Sequence, residues 1–277
     1  MTDRYAVFGN PVAHSRSPVI HAAFARATGQ DLAYERILAP LDGFPAAVEA
    51  FRRDGGRGAN VTVPFKREAW QLATACSARA TSAEAVNTLR FDPDGAVFGD
   101  NTDGVGLVRD IEVNLGRPLA GARVLMLGAG GAAAGVLLPL LDARVAALHV
   151  ANRTAGRAVA LVARHADAPV TGGALAAIDG EFDVVINATS ASLGSAAPDT
   201  GRARLATDAL GYDMMYATVP SAFLEWAAHG GARIADGIGM LVEQAAESFF
   251  LWRGVRPETS GVLAGLVQPW RGGRPAR

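Results

Sequence analysis

Lysine is almost absent from this sequence. Lys66 is the only one, and the other 25 cationic residues are arginine. Cysteine is as scarce: Cys76 stands alone, which excludes an internal disulfide and fits a reducing compartment. No apolar segment follows Met1-Thr2-Asp3-Arg4-Tyr5, so no secretory signal is expected. No hydrophobic run is long enough to span a bilayer, because the most apolar stretch, about 132–148, is broken by Pro139, Asp142 and Arg144. Neither sign of charge is in excess. The 26 Lys+Arg and 27 Asp+Glu leave a formal net charge of −1, so nothing calls for nucleic acid or an anionic membrane. His14 and His21 lack any partner spacing for a metal, and no metal site is expected. A soluble, cytoplasmic protein is the expectation.

What is present is apolar material and glycine. Half of the 277 residues are hydrophobic and 32 are glycine, enough for a real core with many tight turns. The length predicts one large or two modest domains.

The one lysine sits in Asn60-Val61-Thr62-Val63-Pro64-Phe65-Lys66. An ammonium can shift its pKa and exchange a proton, whereas a guanidinium stays protonated. Compositional bias toward Arg is the plain explanation. The neighbours favour another: residues 58–63 read as a short buried strand that Pro64 stops. Thr62 and Lys66 then stand at a strand end, where a scaffold presents polar groups to a cleft.

Strand and helix patterns alternate through the first hundred residues. Strands are predicted at 5–8, 32–37, 58–63 and 85–91, with helices at 18–25, 41–54 and 66–74. Ser17 suits the N-cap before Pro18, which leaves Ser15 outside the helix. Two hydroxyls and free N–H groups at a helix start would also bind a carboxylate. Asp103 opens a helix through about residue 115, with its N-cap as the simple role. Residues 116–121 read as a linker. Alternating strands and helices favour an α/β sheet with functional groups at strand ends.

The strand Arg123-Val124-Leu125-Met126-Leu127 runs into Gly128-Ala129-Gly130-Gly131-Ala132-Ala133 and an apolar helix over about 131–142. This fits G-x-G-x-x-A, the dinucleotide fingerprint, in which glycines let a pyrophosphate approach the helix N-terminus. The next strand, 147–151, ends in Asn152-Arg153-Thr154, with Arg157 one turn on. An NAD site usually carries an acidic residue there. Here Arg153, Thr154 and Arg157 suit a 2′-phosphate, so NADP is read over NAD. The plain alternative for both arginines is a solvated helix start. Further strands are predicted at 182–187, ending in Ala188-Thr189-Ser190, at 209–213 and at 233–236. Helices are predicted at 220–229 and 240–252, and Gln244 could simply lie on the polar face of the last. The tail from Arg271 is expected to fray.

Taken in order, Gly9-Asn10-Pro11…His14-Ser15-Arg16-Ser17-Pro18…His21, the Asn60–Lys66 stretch, Ala85-Val86-Asn87-Thr88, Gly99-Asp100-Asn101-Thr102-Asp103-Gly104, Gly128-Ala129-Gly130-Gly131-Ala132, Asn152-Arg153-Thr154, Asn187-Ala188-Thr189-Ser190 and Gly239-Met240-Leu241-Val242-Glu243-Gln244 resemble the shikimate dehydrogenases over nearly the whole chain. The resemblance implies an N-terminal α/β substrate domain, residues 1–103 completed by 239–277. Inserted within it is a Rossmann-like doubly wound NADP domain, 104–238, with the active site in the interdomain groove. It implies NADPH-dependent reduction of 3-dehydroshikimate to shikimate, in a monomer or homodimer. Ser15 and Ser17 would hold the substrate carboxylate. Thr62, Lys66, Asn87, Asp103 and Gln244 would surround the ring hydroxyls, with Lys66 and Asp103 as the catalytic pair. Tyr216 matches a position near the substrate. Gly128, Gly130, Gly131, Ala132, Asn152, Arg153, Thr154, Arg157 and Thr189 would hold the cofactor, and Gly239 matches a position near the nicotinamide. Three residues depart from the family pattern: Glu84 and Ser192 where Gly is usual, and Ala134 where Arg is common. Alternative readings are a quinate or aminoshikimate dehydrogenase of the same family and a non-catalytic NADPH-binding regulator.

Overall fold

The structure, a computed structural model, describes residues 2–189 and 198–273. The chain divides into two compact units, Met1–Gly106 with Val242–Val262, and Leu107–Leu241 with Leu263–Arg277. The segment 239–277, expected to complete the first unit, is thus shared between the two.

In chain order the first unit runs β1 (Asp3–Gly9), α1 (Ser17–Thr28), β2 (Leu32–Leu38), α2 (Phe44–Arg53), β3 (Gly56–Val61), α3 (Lys66–Leu72), β4 (Ala75–Cys76), α4 (Ala78–Ala83), β5 (Thr88–Phe91) and β6 (Val97–Asp100). Its sheet has the order β2-β1-β3-β5-β6-β4. β1 is parallel to both β2 and β3, and the hairpin β5–β6 adds antiparallel strands. Phe8, Phe44, Phe51 and Phe65 fill one side of the sheet with Val61, Val86 and Leu89. β1 and β3 are buried on both faces, which is why each reads in the sequence as a short unbroken buried run. On the other side Trp252 stacks on Tyr5 and donates its indole N–H to the Leu89 carbonyl at 2.9 Å. Gly58 makes room for that ring, since a Cβ there would lie 2.5 Å from the indole nitrogen.

The second unit follows: α5 (Asp103–Arg109) leads into it, then β7 (Arg123–Leu127), α6 (Gly131–Asp142), β8 (Ala147–Asn152), α7 (Ala155–Val162), β9 (Val170–Ala174), β10 (Asp179–Asn187), β11 (Arg202–Asp213), α8 (Ala222–His229) and β12 (Arg233–Asp236), while α9 (Ile238–Arg253) starts in this unit and belongs from Val242 on to the first. A short helix α10 (Ser260–Ala264) comes last. The sheet order β12-β11-β10-β7-β8-β9 is parallel throughout, the doubly wound arrangement whose chain direction reverses beside β7. Buried aliphatic residues cover both faces of this sheet.

Several expectations needed correction. The helix read through residue 115 stops being regular at Arg109, and Asp110–Asn114 forms one wider π-type turn around the buried Asp110 carboxylate. The strand read from Ala85 begins only at Thr88, because Val86 and Asn87 give their N–H groups to the Lys66 and Asp100 carbonyls. β4, α4, β6 and β9 carried no recognisable period. Arg271 is not frayed: its guanidinium is 5% exposed and pairs with Asp110 and Asp236. Ser190 and Ser192 lie outside the described residues.

Candidate active site

In the first unit, β3 ends at Val61 and α3 starts at Lys66, so the intervening turn delivers the lysine to the sheet end. Lys66 Nζ lies 2.6 Å from Asp103 Oδ2. Asp103 is the first residue of α5, and its N–H donates to Asn101 Oδ1 at 3.2 Å. The carboxylate is spent on Lys66 and on Asn87 Nδ2, which donates to Oδ1 at 2.8 Å. Both oxygens are thereby fixed, which is more than an N-cap role requires.

Asn87 is held from its other side. Its Oδ1 accepts the Thr102 N–H at 2.9 Å, which sets which end of the amide faces Asp103. Gln244, expected among the residues around the ring hydroxyls, with the polar face of α9 as its plain alternative, is buried, with Oε1 3.4 Å from Asn87 Nδ2 and 3.3 Å from Thr102 Oγ1. Thr62 stands beyond the end of β3 with its methyl against Gly9, where a Cβ would come within 2.5 Å. Lys66, Asp103, Asn87 and Gln244 therefore form one connected cluster.

Ser15 and Ser17 also meet, with 3.2 Å between the hydroxyl oxygens. The roles expected at this helix start are exchanged. Helix α1 begins at Ser17, and it is Ser15 Oγ that accepts the Ser17 N–H, at 3.3 Å. Ser17 is free of the capping task and almost fully buried. Arg36 holds the Ser15 carbonyl with Nε at 3.0 Å and Nη2 at 2.6 Å, bringing positive charge to the serine pair.

Sequence reasoning missed the residues that join the serine pair to the lysine cluster. Tyr34 donates its hydroxyl to Asn60 Oδ1 at 2.7 Å and borders the Ser17 hydroxyl. Asn60 Nδ2 in turn faces the Asn87 carbonyl at 3.2 Å, Thr88 Oγ1 at 3.1 Å and Ser248 Oγ at 3.0 Å. Their buried polar atoms are satisfied by one another, so the network is rigid without adding charge. Tyr34 and Ser248 looked like ordinary strand and helix residues. Only Asn60, at a polar position in a buried strand, offered a signal.

In the second unit the glycine loop lies at the carboxyl end of β7, beside the switch point. Gly128 has φ +107°, and a Cβ there would meet Thr189 at 3.0 Å. Gly130 and Gly131 are exposed, and a Cβ on either would meet nothing within 4 Å. With the exposed Ala132 they leave the N-terminal N–H groups of α6 open to an anion. Ala134 sits one turn in and adds no cation. At the end of β8 the half-buried Asn152 fixes the following turn, with Nδ2 on the Thr154 carbonyl at 2.9 Å. Arg153, Thr154 and Arg157 are exposed, and neither arginine forms an ion pair among the described residues. A dinucleotide carrying a 2′-phosphate fits this open loop and its uncommitted cations. Thr189 is tied back to Asn187 Oδ1 through Oγ1 at 2.7 Å. Tyr216 is half-buried in the loop after β11. Gly239 is buried against Asp110, whose carboxylate occupies the space a Cβ at that position would need.

Family models match three stretches: the shikimate dehydrogenase substrate binding domain over residues 7–89, shikimate/quinate 5-dehydrogenase over 111–196, and the shikimate 5′-dehydrogenase C-terminal domain over 237–264. A shikimate dehydrogenase (NADP(+)) of Aromatoleum aromaticum is 61% identical over 277 residues, covering 98% of this chain and 99% of that protein. The crystal structure of an Ael1 enzyme from Pseudomonas putida is 47% identical, with a TM-score of 0.91 and coverage of 98% and 100%. Shikimate 5-dehydrogenase of Thermus thermophilus, solved with NADP(H) and shikimate, is 32% identical with a TM-score of 0.82, over 95% of this chain and 98% of that one. With the lysine–aspartate cluster, the open glycine loop and near-full-length identity in hand, the chain belongs to the shikimate dehydrogenase family.

Proposed function

We propose that this chain is an NADP-dependent oxidoreductase that reversibly reduces 3-dehydroshikimate to shikimate, in the pathway to chorismate and the aromatic amino acids. The observation that carries this reading is the 2.6 Å pair of Lys66 and Asp103, braced by Asn87 and Gln244. The bound nicotinamide supplies or accepts the hydride. The chain's residues handle the proton and the charge. As hydride reaches the ketone carbon, its oxygen gains negative charge and needs a proton. Lys66, oriented by the adjacent carboxylate, supplies both the field and the proton at Nζ. In the oxidation direction a neutral Lys66 accepts the hydroxyl proton. Asp103, Asn87 and Gln244 present acceptors and donors to the ring hydroxyls, with Thr62 beside them. Ser15 and Ser17 take the carboxylate by hydroxyl donation.

The remaining roles belong to the same reading. Gly128, Gly130, Gly131 and Ala132 receive the pyrophosphate. Asn152, Arg153, Thr154 and Arg157 receive the 2′-phosphate end. Thr189, Gly239 and Tyr216 stand toward the reacting rings. No helix of the described residues is long and apolar enough to cross a membrane, and we place the enzyme in the cytoplasm as a monomer or homodimer.

The test is absorbance at the reduced-nicotinamide band, with purified protein, shikimate and either NADP⁺ or NAD⁺ at matched concentrations. Fast reduction of NADP⁺ and slow reduction of NAD⁺ is expected. Equal use of both discards the 2′-phosphate reading. Turnover of quinate with none of shikimate moves the substrate assignment. No reduction at all by folded protein defeats the enzymatic reading.

A further inference from the structure

Among the buried carboxylates of the second unit that the reaction does not use, Asp110 and Asp236 share one cation. Asp110 lies in the π-type turn after α5, and Asp236 ends β12 just before the turn 237–239, which is Gly237 with the first two residues of α9. Both are buried. The Tyr212 hydroxyl donates to Asp110 Oδ2 at 2.6 Å, and Asn114 Nδ2 donates to its Oδ1 at 3.0 Å. Arg271 reaches both acids, with Nη2 on Asp110 and Nε 3.2 Å from Asp236 Oδ1. This arginine comes from the C-terminal segment, which is anchored beside β12. The Gly272 N–H donates to the Ile234 carbonyl at 2.7 Å, and Arg233 Nε reaches the Gly272 carbonyl at 3.3 Å.

Both carboxylates bear directly on the turn 237–239. Asp236 accepts the N–H groups of Ile238 and Ala217, joining that turn to the loop after β11. Gly237 closes on the same loop: its N–H donates to the Met215 carbonyl at 3.0 Å, and a Cβ there would overlap the Met214 carbonyl. Gly239 rests on the Asp110 carboxylate with no space for a Cβ. The position of this turn therefore depends on where the two carboxylates sit. Two buried anions side by side repel each other unless a cation lies between them. Arg271 is placed to be that cation, and a bidentate guanidinium can hold two acids at a fixed separation where an ammonium cannot.

We propose that Arg271 is a positioning residue that clamps Asp110 to Asp236 and so fixes the turn 237–239 at the nicotinamide end of the cofactor site. This rests on the proposed function, which assigns Gly239 to that end. The C-terminal segment then becomes part of the cofactor site without touching the cofactor.

Arg271→Gln and Arg271→Lys test the clamp by direct binding, with no turnover needed. NADPH is titrated by its nicotinamide fluorescence, and adenosine 2′,5′-bisphosphate, which lacks the nicotinamide, by calorimetry. If Arg271→Gln leaves the proper turn populated about a tenth of the time, the Kd for NADPH rises roughly tenfold. The bisphosphate, held at the far end, should bind within about twofold of wild type. Arg271→Lys, which can reach one acid at a time, should fall between. Unchanged NADPH affinity in folded Arg271→Gln overturns the proposal, and so does equal loss of both ligands, which would make Arg271 a support of the whole unit. If Arg271→Gln does not fold, Arg271→Lys decides, and wild-type NADPH affinity in that variant overturns the clamp. Wild-type protein that binds neither ligand would instead strike down the function reading.

Discussion

Lys66 and Asp103, 37 positions apart in the chain, meet with Nζ 2.6 Å from Oδ2. Asn87 holds the second carboxylate oxygen, so Asp103 cannot turn away from the lysine. The pair is preorganised before any substrate arrives, which is where an active site gains most.

If Lys66 moves the proton, Lys66→Ala should lower kcat by about 10²–10⁴-fold with a modest change in KM for shikimate. Steady-state kinetics in both directions would check this. A large rise in KM at unchanged kcat would make Lys66 a binding residue. Lys66→Arg keeps the charge but not the exchangeable proton, so near-wild-type turnover there would remove the proton-transfer role.

Arg153 and Arg157 stand exposed at the start of α7, uncommitted to any acid among the described residues. Replacing both with Ala should raise KM for NADP⁺ by about ten- to a hundredfold, as expected for lost charge-assisted hydrogen bonds. KM for NAD⁺, which has no 2′-phosphate, should stay nearly constant. Parallel loss with both cofactors would contradict the assignment. Ala134 supplies no further cation beside the glycine loop.

Glu84 closes α4 with φ +48° and ψ +37°, the left-handed region. That explains why Gly suits this position elsewhere in the family. The Glu84→Gly variant relieves the Cβ strain and loses some chain entropy in return, for a net gain of about 0.5–1 kcal/mol. Its melting temperature should rise by a few degrees at pH 7. A fall would mean that the side chain contributes more than the strain costs.

His21 is fully buried against Tyr34, with ring centroids 4.3 Å apart, and it faces Phe24, Phe249 and Trp252. Burial pushes its pKa from 6.5 down to about 3, with only a partial opposing pull from Asn60. The unfolded chain therefore binds a proton near pH 6.5 that the folded chain refuses. Stability from this site is complete above pH 6.5 and is lost as pH falls toward about 3, at about 1.4 kcal/mol per pH unit. By pH 5 the loss is about 2 kcal/mol. Urea unfolding of wild type and His21→Phe at pH 7 and pH 5 would test this. The variant should lose clearly less stability than wild type across that interval, and equal losses would remove His21 as the acid-sensitive group.

Much of this was legible in the sequence because it is local. Alternation marked β2, short buried runs marked β1 and β3, the glycine loop marked the strand-to-helix turn after β7, and α6 runs over Gly131–Asp142 as its apolar pattern predicts. The strand β4 has two residues and α4 has six, too short to display a period. β9 contains Gly172 and Gly173, which break its pattern, and the first is required by its neighbour: a Cβ at Gly172 would lie 2.7 Å from the backbone of α7.

The sequence by itself determined the two-part α/β plan, the lone lysine at a strand end and the neutral-to-basic end of β8. Each rests on residue type and short-range spacing, which physics reads without knowing the fold. Tertiary structure alone decided that Ser15 rather than Ser17 takes the helix-start N–H, which atoms meet the Gln244 amide, and that Arg271 lies buried between Asp110 and Asp236. Gln244 comes 157 positions from Asn87, and Arg271 161 from Asp110. A charged residue near a chain end reads as solvated until the partners that neutralise it are brought to the same place, and only folding brings them there.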